Sequence, residues 1–141
     1  MNLTWDDFGN FDRFNPNISK CFLINGSENT GLGAERQCNL VDGKNYVQER
    51  VTDYVPGHRI AVDIFKCTFP FKRADSSIEL TPLAPNRTEL IFTLNFEPKM
   101  GYLGNLMAPL VKLQFRKLLG KIAEGNKVFV ETGREALNTT P

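Results

Sequence analysis

A chain of 141 residues, 41% hydrophobic and 23% charged, has the size and composition of one globular domain with its own core, which excludes disordered and fibrous classes. A formal net charge of +1 gives no bulk attraction to nucleic acid or to acidic membranes. No run of roughly 18 apolar residues reads as a membrane span, and "MNLTWDDFGN" lacks the basic and apolar regions of a signal peptide, so the expected compartment is the cytoplasm.

The opening "LTWDDFGNFDRFNPNI" is aromatic-rich and ends in an Asn-Pro turn, which predicts a short helical segment followed by a loop. Strand-like patterns come next. "ISKCFLI" (18–24), "AERQCNLV" (34–41) and "YVQERVTDY" (46–54) are separated by the turn-rich "NGSENTGLG" and by "DGKN". Asp42-Gly43 is a hairpin signal, because a tight turn of the primed type needs positive φ. "RIAVDIFKC" (59–67), "SIELTPL" (77–83) and "RTELIFTLNF" (87–96) complete six predicted strands, the last with Leu90, Phe92, Leu94 and Phe96 on one face. Cys21, Cys38 and Cys67 are odd in number and widely spaced, unlike a disulfide framework or a CxxC zinc pair, and are expected as reduced strand residues.

From Leu103 the apolar period becomes helical. Leu103, Leu106, Leu110, Leu113, Lys117, Ile122, Val128 and Phe129 lie close to a three-to-four spacing, which predicts one long amphipathic helix. Beyond Gly133 the chain becomes a polar tail. Serial hairpins followed by a single helix make an α+β layout, an antiparallel sheet with the helix on one face, and the whole of 1–141 is read as one domain.

Strand alternation poses a problem in the Asp-Gly hairpin. If Ala34, Cys38 and Leu40 face a core, so does Arg36, and if Val47 and Val51 face it, so does Glu49. An isolated charge in an apolar interior is costly, so the two residues are expected to be paired, hydrated in a cavity, or extended to its rim. Counting about a turn at 43 and 44 sets residue 36 near 51 and residue 38 near 49, making Arg36 and Glu49 diagonal neighbours about 7 Å apart. Two readings stand: a polar anchor that orients a ligand in an apolar cavity, or an ion pair that only closes the cavity end.

"DFGNFDRFNPNI", "GLGAERQCNL", "YVQERVTDYVPGHRI" and "GNKVFVETG", taken in order over roughly residues 5 to 133, resemble the SRPBCC superfamily, above all its bacterial polyketide cyclase/dehydrase-like branch. The resemblance implies the helix-grip fold, a curved antiparallel sheet wrapped around a long C-terminal helix with a cavity between them. It also implies binding or transport of an apolar small molecule, lipid-, polyketide- or hormone-like. Members of this branch carry a β-strand before the tryptophan-containing first helix, whereas here Met1 stands four residues before Trp5. The usual first strand is therefore expected to be absent, exposing the edge of "RTELIFTLNF". Closure by "ISKCFLI", a strand from a second protomer, or a start upstream of Met1 would each answer that edge.

On this reading the ligand-binding residues are Arg36, Cys38, Glu49, Val51, Val62, Ile64, Phe92, Phe96, Leu106, Leu110, Leu113 and Gln114. Tyr102 begins the covering helix, Lys117 either adds a polar group or extends to solvent, and Trp5, Phe8, Phe11 and Phe14 plug one end. An enzymatic alternative, a cyclase or dehydratase, has Arg36 polarise a carbonyl and Glu49 move a proton. A third reading is a dimeric module formed through the open sheet edge. His58, after Pro56-Gly57, sits in a turn unsuited to a catalytic interior, and no Ser-His-Asp order, HExxH, phosphate loop or dinucleotide fingerprint occurs. No metal, cofactor or nucleic-acid partner is expected. Lys112, Arg116, Lys121 and Lys127 form a basic helix edge, a solvated face or a weak contact for anionic headgroups.

Overall fold

A computed structural model describes residues 8–13, 15–28, 30–99 and 101–132, with side chains of the last segment described from 109 onward. The side chains of Trp5, Phe14, Tyr102, Leu103 and Leu106, and the tail beyond 132, lie outside the described residues. A short 3-10 helix, Phe8–Arg13, is followed by β1 (Ile18–Leu23), β2 (Glu35–Leu40), β3 (Tyr46–Val55), β4 (Arg59–Cys67), β5 (Phe71–Ala84), β6 (Arg87–Pro98) and the helix α1 (Gly101–Thr132). The strands form one antiparallel sheet in chain order, β1-β2-β3-β4-β5-β6. With α1 following it, this is the helix-grip α+β architecture.

Strands β2 to β6 send alternate residues to the helix side, while a bulge in β1 spaces its buried Ile18 and Cys21 three apart. Arg36 and Cys38 on β2, Val51 on β3, Ile60 and Val62 on β4, and Ala74, Ser76 and Leu80 on β5 are all buried. Their partners on β6 are Phe96, Leu94 and Leu90, opposite Ala74, Ser76 and Leu80. Two apolar clusters result. Phe8, Ala34, Val51, Ile60, Val62 and Leu80 form one, while Phe11, Ile18, Cys21, Cys38, Ile122 and Phe129 form the other. The 3-10 helix packs so close to β1 that a Cβ added at Gly9 would lie 3.1 Å from Leu23 Cγ.

The β2–β3 turn corrects the expected register. Residues 40–45 form the connection, closed by a bond from the Leu40 amide to the Asn45 carbonyl at 2.9 Å. Gly43 alone in this loop has positive φ, 71°, so the two-residue primed turn is not formed. Instead, Asp42 Oδ1 accepts the amides of Lys44 and Asn45 at 2.9 and 2.8 Å, a side-chain-stabilised turn. Pairing consequently centres between Asp42 and Gly43. Arg36 lies directly opposite Glu49, and Cys38 opposite Val47, rather than on diagonals.

Three further expectations are revised. β5 begins at Phe71, six residues before the predicted 77, because Ala74 and Ser76 are the buried positions between exposed Lys72, Arg73 and Asp75. Small inward residues carry little hydropathy signal. Cys21 and Cys38 are not separate reduced residues: they face each other across β1 and β2, Cα atoms 4.2 Å apart, joined in a disulfide, while Cys67 is free. Finally, β1 lies at the opposite margin of the sheet from β6, so "ISKCFLI" does not close the gap. Among the described residues nothing pairs with the outer edge of β6.

Candidate ligand-binding cavity

Between the sheet and α1 lies a cavity of about 140 Å³. Its sheet wall includes Arg36, Cys38, Val47, Glu49, Ile60, Val62, Ile64, Ser76, Ile78, Phe92 and Leu94. Its helix wall is Phe115, Leu118, Leu119, Ile122 and Asn126, a three-to-four spacing that turns one face of α1 inward. Phe8, Phe11, Asn15 and Ile18 close it from the N-terminal segment. For scale, an apolar cavity of about 150 Å³ engineered in another protein accepts a benzene ring.

Arg36 and Glu49 are built into this wall as a pair. Arg36 Nε donates to Glu49 Oε2 at 2.6 Å, with side-chain exposures of only 7% and 10%. Arg36 Nη1 also donates to the Phe8 carbonyl at 2.9 Å. The guanidinium carbon lies 4.0 Å from the Phe8 ring centroid and 4.3 Å from that of Phe11. Each ring face stabilises the cation electrostatically, and each also excludes water from it. The arginine thus ties the 3-10 helix to the β2–β3 hairpin.

A second feature is aromatic. Phe115 of α1 packs its ring 5.6 Å from Phe71 and 5.3 Å from Phe96, while Phe71 and Phe96 lie 5.2 Å apart and Phe69 stacks on Phe71 at 5.9 Å. These are tilted or offset geometries at favourable ring separations. They clamp the helix to β5 and β6. Outside the clamp, a more open groove of about 530 Å³ runs between β6 and α1, with Lys112 and Arg116 at its rim. Phe92, Leu94, Phe115 and Leu119 line both spaces and are the partition between them.

The predicted residues divide accordingly. Arg36, Cys38, Glu49, Val62, Ile64 and Phe92 are brought together on the cavity wall. Val51 is 1% exposed in the packed core instead, and Phe96 faces the outer groove within the aromatic clamp. Leu110 and Leu113 are 57% and 52% exposed, and Gln114 is exposed too, so these three do not line the cavity. Among the described helix residues, those lining the cavity begin at Phe115, although the apolar stripe of the sequence runs further toward the N-terminus. Lys117 reaches solvent, as do Lys112, Arg116, Lys121 and Lys127, and His58 is exposed in the β3–β4 turn. Asn15, Asn126, Phe115, Leu118 and Leu119 were not among the predicted site residues. Four-residue spacing from Ile122 was the available signal for Asn126.

A meander sheet gripping one C-terminal helix around an apolar cavity defines a START-like, SRPBCC-type ligand-binding fold. The chain belongs to the family described as polyketide cyclase / dehydrase and lipid transport, whose model matches residues 4–125. No curated protein matches it in sequence. Among solved structures it is similar to a START superfamily protein from Mycobacterium smegmatis, at 23% identity and TM-score 0.64, covering 85% of this chain and 81% of that one. A protein from Thermus thermophilus superposes with TM-score 0.67 at 14% identity, with 89% and 85% covered. The ginseng major latex-like protein 151 from Panax ginseng gives 0.62 at 15% identity, with 86% and 83% covered. At these identities the likeness shows the shared fold. Among the described residues, no helix is long and apolar enough to cross a membrane, and no group of three His, Cys, Asp or Glu residues could hold a metal ion.

Proposed function

We propose that this protein binds, and thereby sequesters or carries, an apolar small molecule between the sheet and α1. The observation that carries the reading is the cavity itself: a packed core of this size leaves few voids larger than a water, yet here about 140 Å³ stays open among mainly apolar side chains. The family description, which includes lipid transport, supports it. The space takes one ring. A longer lipid- or polyketide-like ligand would place its head in the cavity and its tail in the groove beyond the Phe92, Leu94, Phe115 and Leu119 partition, where Lys112 and Arg116 suit an anionic end. The catalytic alternative asks Arg36 to polarise a carbonyl and Glu49 to move a proton. Their mutual ion pair occupies both groups, which favours binding over turnover.

The test is native mass spectrometry of the purified protein, followed by extraction of co-purifying molecules and by NMR titration with toluene. Co-purification of an apolar compound, or toluene-induced shifts confined to cavity residues such as Ile78, Phe92, Leu118 and Leu119, is the expected result. No retained compound and no such shifts at millimolar toluene would refute the reading.

A further inference from the structure

Asn126 stands on the inward face of α1, one turn after Ile122 and just under one turn before Phe129, among the apolar residues of the second core cluster. It is 4% exposed and lines the cavity, and its Oδ1 is fully buried with no hydrogen-bond partner among the described residues. A buried amide oxygen left without a donor is unfavourable and uncommon in folded proteins, so it marks a place where a partner belongs. The neighbouring Asn15 differs. Although it is also buried in the cavity wall, its Oδ1 already accepts the Asn17 amide at 3.0 Å and the Asn17 Nδ2 at 3.2 Å. Asp12 Oδ1 is likewise unpartnered, but Asp12 does not line the cavity.

Resting on the cavity reading above, we infer that Asn126 Oδ1 accepts a hydrogen bond from a hydroxyl group of the ligand, which makes the ligand head a neutral, ring-sized alcohol or phenol. Charge argues against carboxylate and ammonium heads. The Arg36 cation is matched by Glu49 at 2.6 Å, so the described residues lining the cavity offer neither a free cation for a carboxylate nor a free anion for an ammonium group. Size restricts the head to about one ring. Apolar walls then supply affinity, and a single acceptor fixes orientation.

The experiment compares p-cresol with toluene, which share shape but differ by the hydroxyl, by isothermal titration calorimetry and NMR. On the wild-type protein p-cresol is expected to bind about tenfold or more tighter, since a site built around a polar group rejects an analogue that leaves it unpaired. In Asn126→Leu, which keeps the side-chain size, the ratio is expected to fall to about one or to invert. Equal affinities on the wild type, the outcome if a retained water satisfies Asn126, would overturn this inference and leave the cavity reading standing. A wild-type preference that survives Asn126→Leu would also overturn it, by assigning the hydroxyl to another acceptor. Binding of neither compound would overturn this inference, and, together with no retained compound in native mass spectrometry, the cavity reading as well.

Discussion

Replacing Glu49 by Gln leaves the Arg36 guanidinium buried without its counter-charge while preserving shape. Side-chain exposure of 7%, the 2.6 Å contact and the two flanking phenyl rings leave the cation little route to water. Breaking one partner of such a pair costs about 3 to 5 kcal/mol. For a chain of this length each kcal/mol moves Tm by roughly 3 to 4 °C, so a fall of about 10 to 20 °C is expected. By contrast, the double variant Arg36→Met, Glu49→Leu removes both charges and is expected to lie within about 2 kcal/mol of the wild type, or above it. Urea unfolding followed by circular dichroism measures both quantities. A Glu49→Gln cost below about 1 kcal/mol, the range of exposed ion pairs, would refute the claim that the pair is dry and structural.

The remaining predictions concern other parts of the same molecule. Phe115→Ala, which empties the centre of the aromatic clamp, is expected to cost about 2 kcal/mol, discounted from the range for fully buried phenylalanine because this ring is half-buried, and to speed release of bound toluene in NMR exchange. The Cys21–Cys38 disulfide spans a sequence separation of 17, so reduction is expected to lower stability by about 3 kcal/mol, and thiol titration of the unreduced, unfolded protein should find one free thiol, Cys67. Such a bond is uncommon in a reducing cytosol, and titration of freshly lysed cells therefore also tests the expected compartment. Asp42 is held below the ordinary aspartate range by the Asn45 and Lys44 amides, and Glu35 below the glutamate range by the Asn25 amide and then Arg50. Both carboxyls bind protons more weakly when folded, so their stabilisation is complete at neutral pH and is lost as pH falls below about 4 toward the depressed values. Thermal midpoints between pH 3 and 7 should show that decline, with a shallower slope in Asp42→Asn and Glu35→Gln. Slopes unchanged in both variants would assign the decline to other groups.

Period-two alternation and a single helical stripe are local properties, and both were legible without coordinates. They yielded the six strands, the long C-terminal helix and, through side-chain parity alone, the inward direction of Arg36 and Glu49. What parity cannot supply is register. The turn capped by the Asp42 carboxylate moved the pairing centre by one residue, turning a diagonal into a direct ion pair. Nor does a stripe reveal where along a helix its cover ends. Leu110 and Leu113 repeat with the same period as Leu118 and Ile122, yet only the latter two line the cavity. Cysteine spacing was similarly silent, because Cys21 and Cys38 become neighbours only when β1 pairs with β2. The direction in which each residue points could be read from the chain alone, because it follows from backbone geometry within one strand or helix. Which residues meet, and whether space is left between them, depends on how far the sheet curves and where α1 lies across it, and those are properties of the assembled fold.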